Sequence, residues 1–496
     1  MTRDNQKLLG YTLFFFLLAH GYGLCSHFLA HDSLGEFVMI SNLSDNFVGK
    51  ISKGRFAQVL VYFIRGNIAV PWLVSCIAIC LYALSAWLLR KLFPKIQPLL
   101  LVGLLSTNVA FAFTLGFYVH EMDMFALAIF LAVLAVYLTK NYKYGPFFAP
   151  LLLGLVCGLY QAYFSVAVAL FLLLLSQEIF QGAETKQVFL KGIRWFFVLF
   201  FGLVSYYLMN FCLLKGLNIS PTEMPSRVPT LSELFDLFGE EGLLTKLSLL
   251  YQEFFSFFLS PVTHSSLLVG ICNLILLLSC LAILFYQCNQ KKISFTGLGL
   301  FLLFLLLFPF GVNLASFFID YSHDLMYLPF IFLYFFPLLL MEEEKITKYI
   351  LSVTMLLIFW QNIIYCNQLY LRQNLAYQNT LSTMTRVLDD IEDVPDYVVG
   401  ETPVLFCGVM TQSPVSNLPE YLSDLDGYVL KDSLYSVDYY EITWAYLSFI
   451  LGYPVNFSQE FHLVHEAEVM EMPPFPYDGY CKMVDGVLVV NWLDRR

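Results

Sequence analysis

Ala30-His31-Asp32-Ser33-Leu34-Gly35-Glu36-Phe37 opens a polar loop that returns through Lys53-Gly54-Arg55-Phe56. The loop, residues 30–67, follows an apolar stretch of residues 8–29 in a chain where ionisable residues are scarce. A carboxylate and an arginine beside a membrane are what an enzyme handling a lipid phosphate requires. The same residues would also suit an ordinary polar loop, so the surrounding chain has to decide between the two.

Composition settles the class. The 496 residues are 58% hydrophobic and only 13% charged, which places the chain among polytopic membrane proteins. A net charge of -11 leaves no basic surface for nucleic acid. Of the 11 cysteines, Cys25, Cys76, Cys80, Cys157, Cys212, Cys272 and Cys280 fall in apolar runs and read as small buried hydrophobes, not as a disulfide framework. The first apolar stretch has no small-residue cleavage site behind it and is too long for a signal core. It is expected to be a retained anchor.

Crossing a bilayer core takes roughly 20 apolar residues, and about eleven stretches qualify. They are 8–29, 69–89, 98–118, 124–139, 146–160, 162–180, 195–214, 265–287, 296–318, 325–341 and 349–367. The interruption at Tyr160-Gln161-Ala162-Tyr163 is read as a turn between two spans. An N-terminus on the cytoplasmic side puts fourteen lysines and arginines in the inside segments and seven in the much longer outside loops. That is the asymmetry of the positive-inside rule, and it keeps its sign on both sides of Tyr160. The expectation is a multi-pass protein of the cytoplasmic membrane, with its N-terminus inside and its C-terminal part outside. The fold class is all-α polytopic, with a small C-terminal extracytoplasmic α/β domain.

Residues 1–367 form the expected transmembrane domain, with long outer loops at 30–67 and 215–264. In the first loop, Phe56–Ile64 suits a helix lying in the interface. In the second, Pro221, Pro225 and Pro229 precede an amphipathic stretch from Leu231 to Phe258. Residues 368–496 turn polar and contain a strand-like Pro403-Val-Leu-Phe-Cys407. Asn42, Asn218 and Asn456 head N-x-S triplets on the outside.

The spans are nearly free of Asp, Glu, Lys and Arg in their middles, whereas ion-coupled transporters keep ionisable groups near the midplane. Here the acids gather at the outer mouths: Asp32, Glu36, Glu121, Asp123, Asp320 and Asp324. Chemistry at the outer interface fits this pattern better than conduction does. Loops are also simply where acids can live.

A long first outer loop led by an acid, an interfacial helix behind it and a soluble tail resemble the GT-C class of membrane glycosyltransferases. Three details are similar to the glucosyltransferase II (Gtr-type) family. They are Asp32 after the first span, Gly54-Arg55-Phe56 in the same loop, and Gly158-Leu-Tyr-Gln-Ala-Tyr163 between two spans. The likeness covers residues 8–367. One departure is that the family often has two consecutive acids where this chain has His31-Asp32.

The resemblance implies transfer of a sugar, glucose or another hexose or N-acetylhexosamine, from a polyprenyl-phosphate donor to a surface glycan. Phosphate is a good leaving group, so the chemistry needs chiefly a base for the acceptor hydroxyl. Asp32 is the candidate base, acting with inversion, and Glu36, about one helical turn away, is either support or solvent-facing. Arg55 and Arg227 are candidates for the donor phosphate, against the alternative of snorkelling to ordinary headgroups. Glu121 and Asp123 can position the acceptor, the sugar hydroxyls or a divalent cation. With His120 alone they are too few for a metal site, so no cofactor is expected. Tyr160 and Gln161 can contact sugar, although such residues also form aromatic belts. The expected partners are the lipid-linked donor, the glycan acceptor, the bilayer and other membrane proteins of a glycan-modification pathway. The competing readings are a transporter or flippase for lipid-linked sugars, a non-catalytic membrane subunit, and a polysaccharide polymerase or ligase.

Overall fold

Proline and serine punctuate the chain into helices. The computed structural model describes residues 3–26, 33–34, 43–66, 70–221, 243–259, 266–290, 293–318, 324–340, 345–407, 444–458 and 461–492. The N-terminal helices are α1 (Arg3–Cys25), α2 (Leu43–Ser52), α3 (Phe56–Arg65), α4 (Pro71–Leu92), α5 (Pro98–Ser106) and α6 (Val109–Phe117). A 3-10 turn, Val119–Glu121, leads into α7 (Met122–Asn141), followed by α8 (Gly145–Leu159), α9 (Phe164–Phe180) and α10 (Thr185–Leu217). Then come α11 (Leu243–Leu259), α12 (Leu267–Asn289), α13 (Phe295–Val312), α14 (Leu314–Phe318), α15 (Phe335–Leu340) and α16 (Lys345–Glu392).

The starts of these helices are written in the sequence. Pro71 and Pro98 open α4 and α5 at the position where a missing N–H costs nothing. Ser266 and Ser294 cap α12 and α13 by accepting from Val269 N and Gly297 N. The expected span 98–118 is present as Pro98–Phe117, built from two successive helices. Asn108 accepts the Ala110 amide at 2.8 Å and so starts α6 afresh.

Nine helices among the described residues are long and apolar enough to cross a membrane, fewer than the eleven expected. The shortfall has two sources. Gly145–Leu159 and Asp324–Leu340, both expected spans, are shorter apolar helices. The interruption at Tyr160 is real: α8 ends at Leu159, and a 3-10 turn at Gln161–Tyr163 starts the next helix. At the other end of the membrane domain, α16 runs without a break past residue 367 to Glu392. The protein is a multi-pass membrane protein.

The chain forms two compact units. The first comprises Met1–Tyr22, Ser44–Thr114 and Glu121–Cys366 and contains most of the apolar helices. Within it α8 packs closely on both α7 and α10. A side chain at Gly202 would meet the Leu153 Cβ at 2.8 Å, so the absence of one lets α10 approach α8.

The second unit comprises Gly23–Leu43, Leu115–His120 and Asn367–Arg496. Its sheet has strands β1 (Pro403–Cys407), β2 (Asn456–Phe457), β3 (Cys481–Val484) and β4 (Val487–Asn491) in the order β2-β1-β4-β3. β1 is parallel to β2 and β4, and β3 is antiparallel to β4. Asp485 and Gly486, both with positive φ, turn the β3–β4 hairpin in two residues. Alternate residues of β1 and β4 are buried on opposite faces. Val404, Phe406, Leu488 and Val490 pack with Met384, Val387 and Trp492, whereas Leu405, Cys407 and Val489 pack with Val464, Val469 and Met472. Covered on both sides, β1 reads as the continuous apolar run found at Pro403–Cys407. Burial pushes the Cys407 thiol up to about 12, which leaves it an inert core residue.

Candidate functional site

Helices α2 and α3 form a strap joined at Gly54. The Gly54 backbone is left-handed (φ 75°), and a methyl group there would run into the Tyr206 hydroxyl of α10. Only glycine meets both conditions at once. Arg55 and Phe56, next in the chain, are thereby aimed at the turn after α8. The Arg55 guanidinium lies over the Tyr160 ring, 5.6 Å from its centroid, and Phe56 stacks on Tyr206 at 6.1 Å. Gly158 completes the fit, since a Cβ there would stand 2.7 Å from the Phe56 ring and 3.1 Å from the Ala57 Cβ. Gln161 ties the junction from the other side by donating to Lys53 O and to the Tyr206 hydroxyl, both at 3.3 Å. The segments Gly54-Arg55-Phe56 and Gly158–Tyr163, about a hundred residues apart in sequence, meet at one place.

Beneath this junction the strap is fastened by charge. Lys50, in the last turn of α2, pairs with Glu121, which is 1% exposed. Arg65, in the last turn of α3, donates to Asp123 at 2.8 Å, and both side chains are 4% exposed. Asp123, in the first turn of α7, also accepts the Met124 amide at 3.0 Å, where the helix dipole favours an anion. Between the two pairs lies Gln58, fully buried. It donates to Glu121 Oε2 at 3.3 Å and to Leu159 O at 2.9 Å. Two cations from the strap thus neutralise the two acids that the sequence leaves at the start of α7. The pairing is a condition of burial, because an unpaired charge at these depths would cost several kcal/mol.

The chemical consequence is a division of labour. The Glu121 and Asp123 carboxylates are engaged by Lys50, Gln58 and Arg65, and these contacts hold the strap. Arg55 is half-buried, and its guanidinium rests on the face of the Tyr160 ring. Among the described residues, no three His, Cys, Asp or Glu side chains come together in a way that could hold a metal ion. Asp32, Glu36 and Arg227 lie outside the described residues. Ser33, the neighbour of Asp32, belongs to the second unit, where its hydroxyl donates to Phe117 O at 2.9 Å and lies 3.4 Å from His120 Nδ1.

Sequence reasoning missed Lys50, Gln58, Arg65 and Tyr206. The lysine and the arginine entered it only as loop charges. A usable signal was present: in a chain so poor in charge, two buried-side acids require two cations, and the preceding loop contains them.

The glucosyl transferase GtrII family profile matches residues 21–341, which takes in the strap, both acids and the Gly158–Tyr163 turn. The chain belongs to the glucosyl transferase GtrII family. No curated protein and no solved structure matches the chain. As a GtrII member the protein is a membrane glucosyltransferase, an enzyme that takes a sugar from a donor to a glycan acceptor. The Arg55–Tyr160 junction lies within the GtrII match and is its best-defined candidate site.

Proposed function

We propose that this GtrII protein transfers a sugar from a polyprenyl-phosphate donor to a cell-surface polysaccharide on the outer face of the cytoplasmic membrane, with inversion. The observation that carries this reading is the position of Arg55. It is a half-buried guanidinium, oriented by Tyr160 and held at a junction fixed from below by two ion pairs. A planar, permanently charged donor set of this kind suits the phosphate of a lipid-linked sugar.

Asp32 is the proposed base. It takes the proton of the acceptor hydroxyl as that oxygen bonds to the anomeric carbon, while the bond from that carbon to the phosphate oxygen breaks on the opposite face. The phosphate leaves with the electron pair, and Arg55 balances its charge. The engagement of Glu121 and Asp123 by cations of the strap favours Asp32 over either of them as the base. Tyr160 and Gln161 set the position of Arg55 and the strap, and Glu36 and Arg227 remain proposed contributors to substrate binding.

The test is transfer of labelled sugar from a polyprenyl-phosphate donor to the host's surface glycan, comparing native protein with Asp32→Asn and Arg55→Ala at equal membrane expression. Losses of about a hundredfold or more in both variants support the assignment. Normal transfer by Asp32→Asn would remove it as the base. Absence of transfer from any polyprenyl-linked sugar by the native protein would overturn the donor class.

A further inference from the structure

The apolar core on one face of the C-terminal sheet contains a residue from the opposite end of the chain. Leu34, fully buried, belongs to the same cluster as Met384, Val387, Val404, Phe406 and Tyr446. It comes from the first outer loop, and the others come from α16 and from the α/β domain itself. The sheet is thus completed by a leucine that precedes almost the whole membrane domain.

Ser33, immediately before it, is held by polar contacts. The end of α6 leaves its last carbonyls without partners inside the helix. Ser33 Oγ donates to that of Phe117 at 2.9 Å, and Gln373 Nε2 of α16 donates to that of Gly116 at 2.6 Å. The serine gives its only proton to Phe117 O, so in its 3.4 Å contact with His120 Nδ1 the imidazole is the donor. Ser33 and Gln373 are buried, where such bonds are not readily replaced by water. The other end of the loop is fixed as well. Gly23, near the end of α1, packs so closely that a Cβ would stand 2.7 Å from the Tyr370 ring of α16 and 2.8 Å from the Leu115 side chain of α6. Both anchors lie within the second unit.

Asp32 is the residue before Ser33. Proton transfer tolerates little error in position, and a displacement of about 1 Å can cost a hundredfold in rate. A base in a loop has to be held by its neighbours, and the two residues after Asp32 are gripped, one by hydrogen bonds and one by a core. We propose that the C-terminal α/β domain is a clamp for the base, with Ser33 and Leu34 as positioning residues that act through Asp32. The inference rests on the assignment of Asp32 as the base. It gives the tail, which lies beyond the GtrII match at residues 21–341, a task inside the transfer reaction.

Transfer of labelled sugar from a polyprenyl-phosphate donor would be measured with the full-length protein in liposomes, for Ser33→Ala, Leu34→Ala and Leu34→Met, alone and combined with Asp32→Asn. Ser33→Ala and Leu34→Ala should each lower kcat about tenfold or more, with the KM for the donor within about twofold of native. Leu34→Met refills the site and should return most of the loss. In the Asp32→Asn background the same substitutions should have no further effect, because the group that they position is gone. Val489→Ala, in the core on the other face of the sheet, should lower the unfolding temperature and leave kcat native. If Leu34→Ala fails to fold, Ser33→Ala alone and with Asp32→Asn decides the outcome. Native kcat in Ser33→Ala and Leu34→Ala, or losses that add to that of Asp32→Asn, would overturn the clamp and leave the base standing. An equal fall in kcat from Val489→Ala would also overturn it, because domain stability alone would then explain the loss. Normal transfer by Asp32→Asn is a separate failure, which removes the base and the clamp with it.

Discussion

Arg55 and Arg65 stand ten residues apart on one strap and have opposite fates. Arg65 is buried with Asp123 and lies 5.1 Å from the centre of the Tyr62 ring, so its charge is cancelled within the protein. Arg55 is half-buried on Tyr160, and the aromatic face orients it. The same side chain is a rivet in one place and the proposed receptor in the other, and the two face different groups. A carboxylate cancels an arginine's charge. A ring orients it by its face.

The contrast can be broken most forcefully at the rivet. Arg65→Met leaves Asp123 buried without its cation and should destabilise the protein by about 3–5 kcal/mol, read as a fall in unfolding temperature in detergent. Pairing it with Asp123→Leu should recover most of that loss, because the stranded charge is then gone. At the receptor the expectation reverses. Arg55→Ala should leave the unfolding temperature nearly unchanged while sugar transfer falls about a hundredfold. Arg55→Lys should restore only part of the activity, because an ammonium keeps the charge and loses the planar fork. An Arg55 variant that unfolds, or an Arg65 variant that is stable and inactive, would erase the distinction.

Two smaller effects sharpen it. Gly54→Ala forces a Cβ into a left-handed backbone and against Tyr206, with an expected cost of about 1–3 kcal/mol. Tyr206→Phe in the same background should relieve the steric part, since the hydroxyl is the nearest atom. Tyr206→Phe alone removes the acceptor of one Gln161 hydrogen bond and should cost about 1 kcal/mol. Its effect on transfer should appear through Arg55, as a raised KM for the donor with kcat little changed.

Much of this arrangement was legible before any coordinates. The strand at Pro403–Cys407 agrees residue for residue, because a run buried on both faces needs no alternation to be recognised. The break at Tyr160 was legible from polarity and charge bias. Gly54-Arg55-Phe56 and Gly158–Tyr163 were both visible as separate segments, but their meeting was not. Glycines 104 residues apart can fit one another only in three dimensions, and neither carries a sign of its partner. The second limit was the length of apolar runs. Hydropathy finds the span 98–118 but not its division at Asn108, because a helix-starting residue with a local hydrogen bond weighs little in an average. The ion pairs were hidden for a related reason. A lysine in a loop is ordinarily a solvated charge, and Lys50 and Arg65 become structural only through acids about 60 to 70 residues further on.

That order along the chain sets a schedule for biogenesis. The strap leaves the ribosome before every group that fastens it: Glu121 and Asp123 first, then Gly158 and Gln161, and Tyr206 last. At roughly 5–20 residues per second, the two cations wait several seconds for their acids and longer for the turn that receives Phe56. During that interval Arg65 has yet to meet the acid that neutralises it. The junction that presents Arg55 is therefore completed late, after the helices through α10 have been inserted.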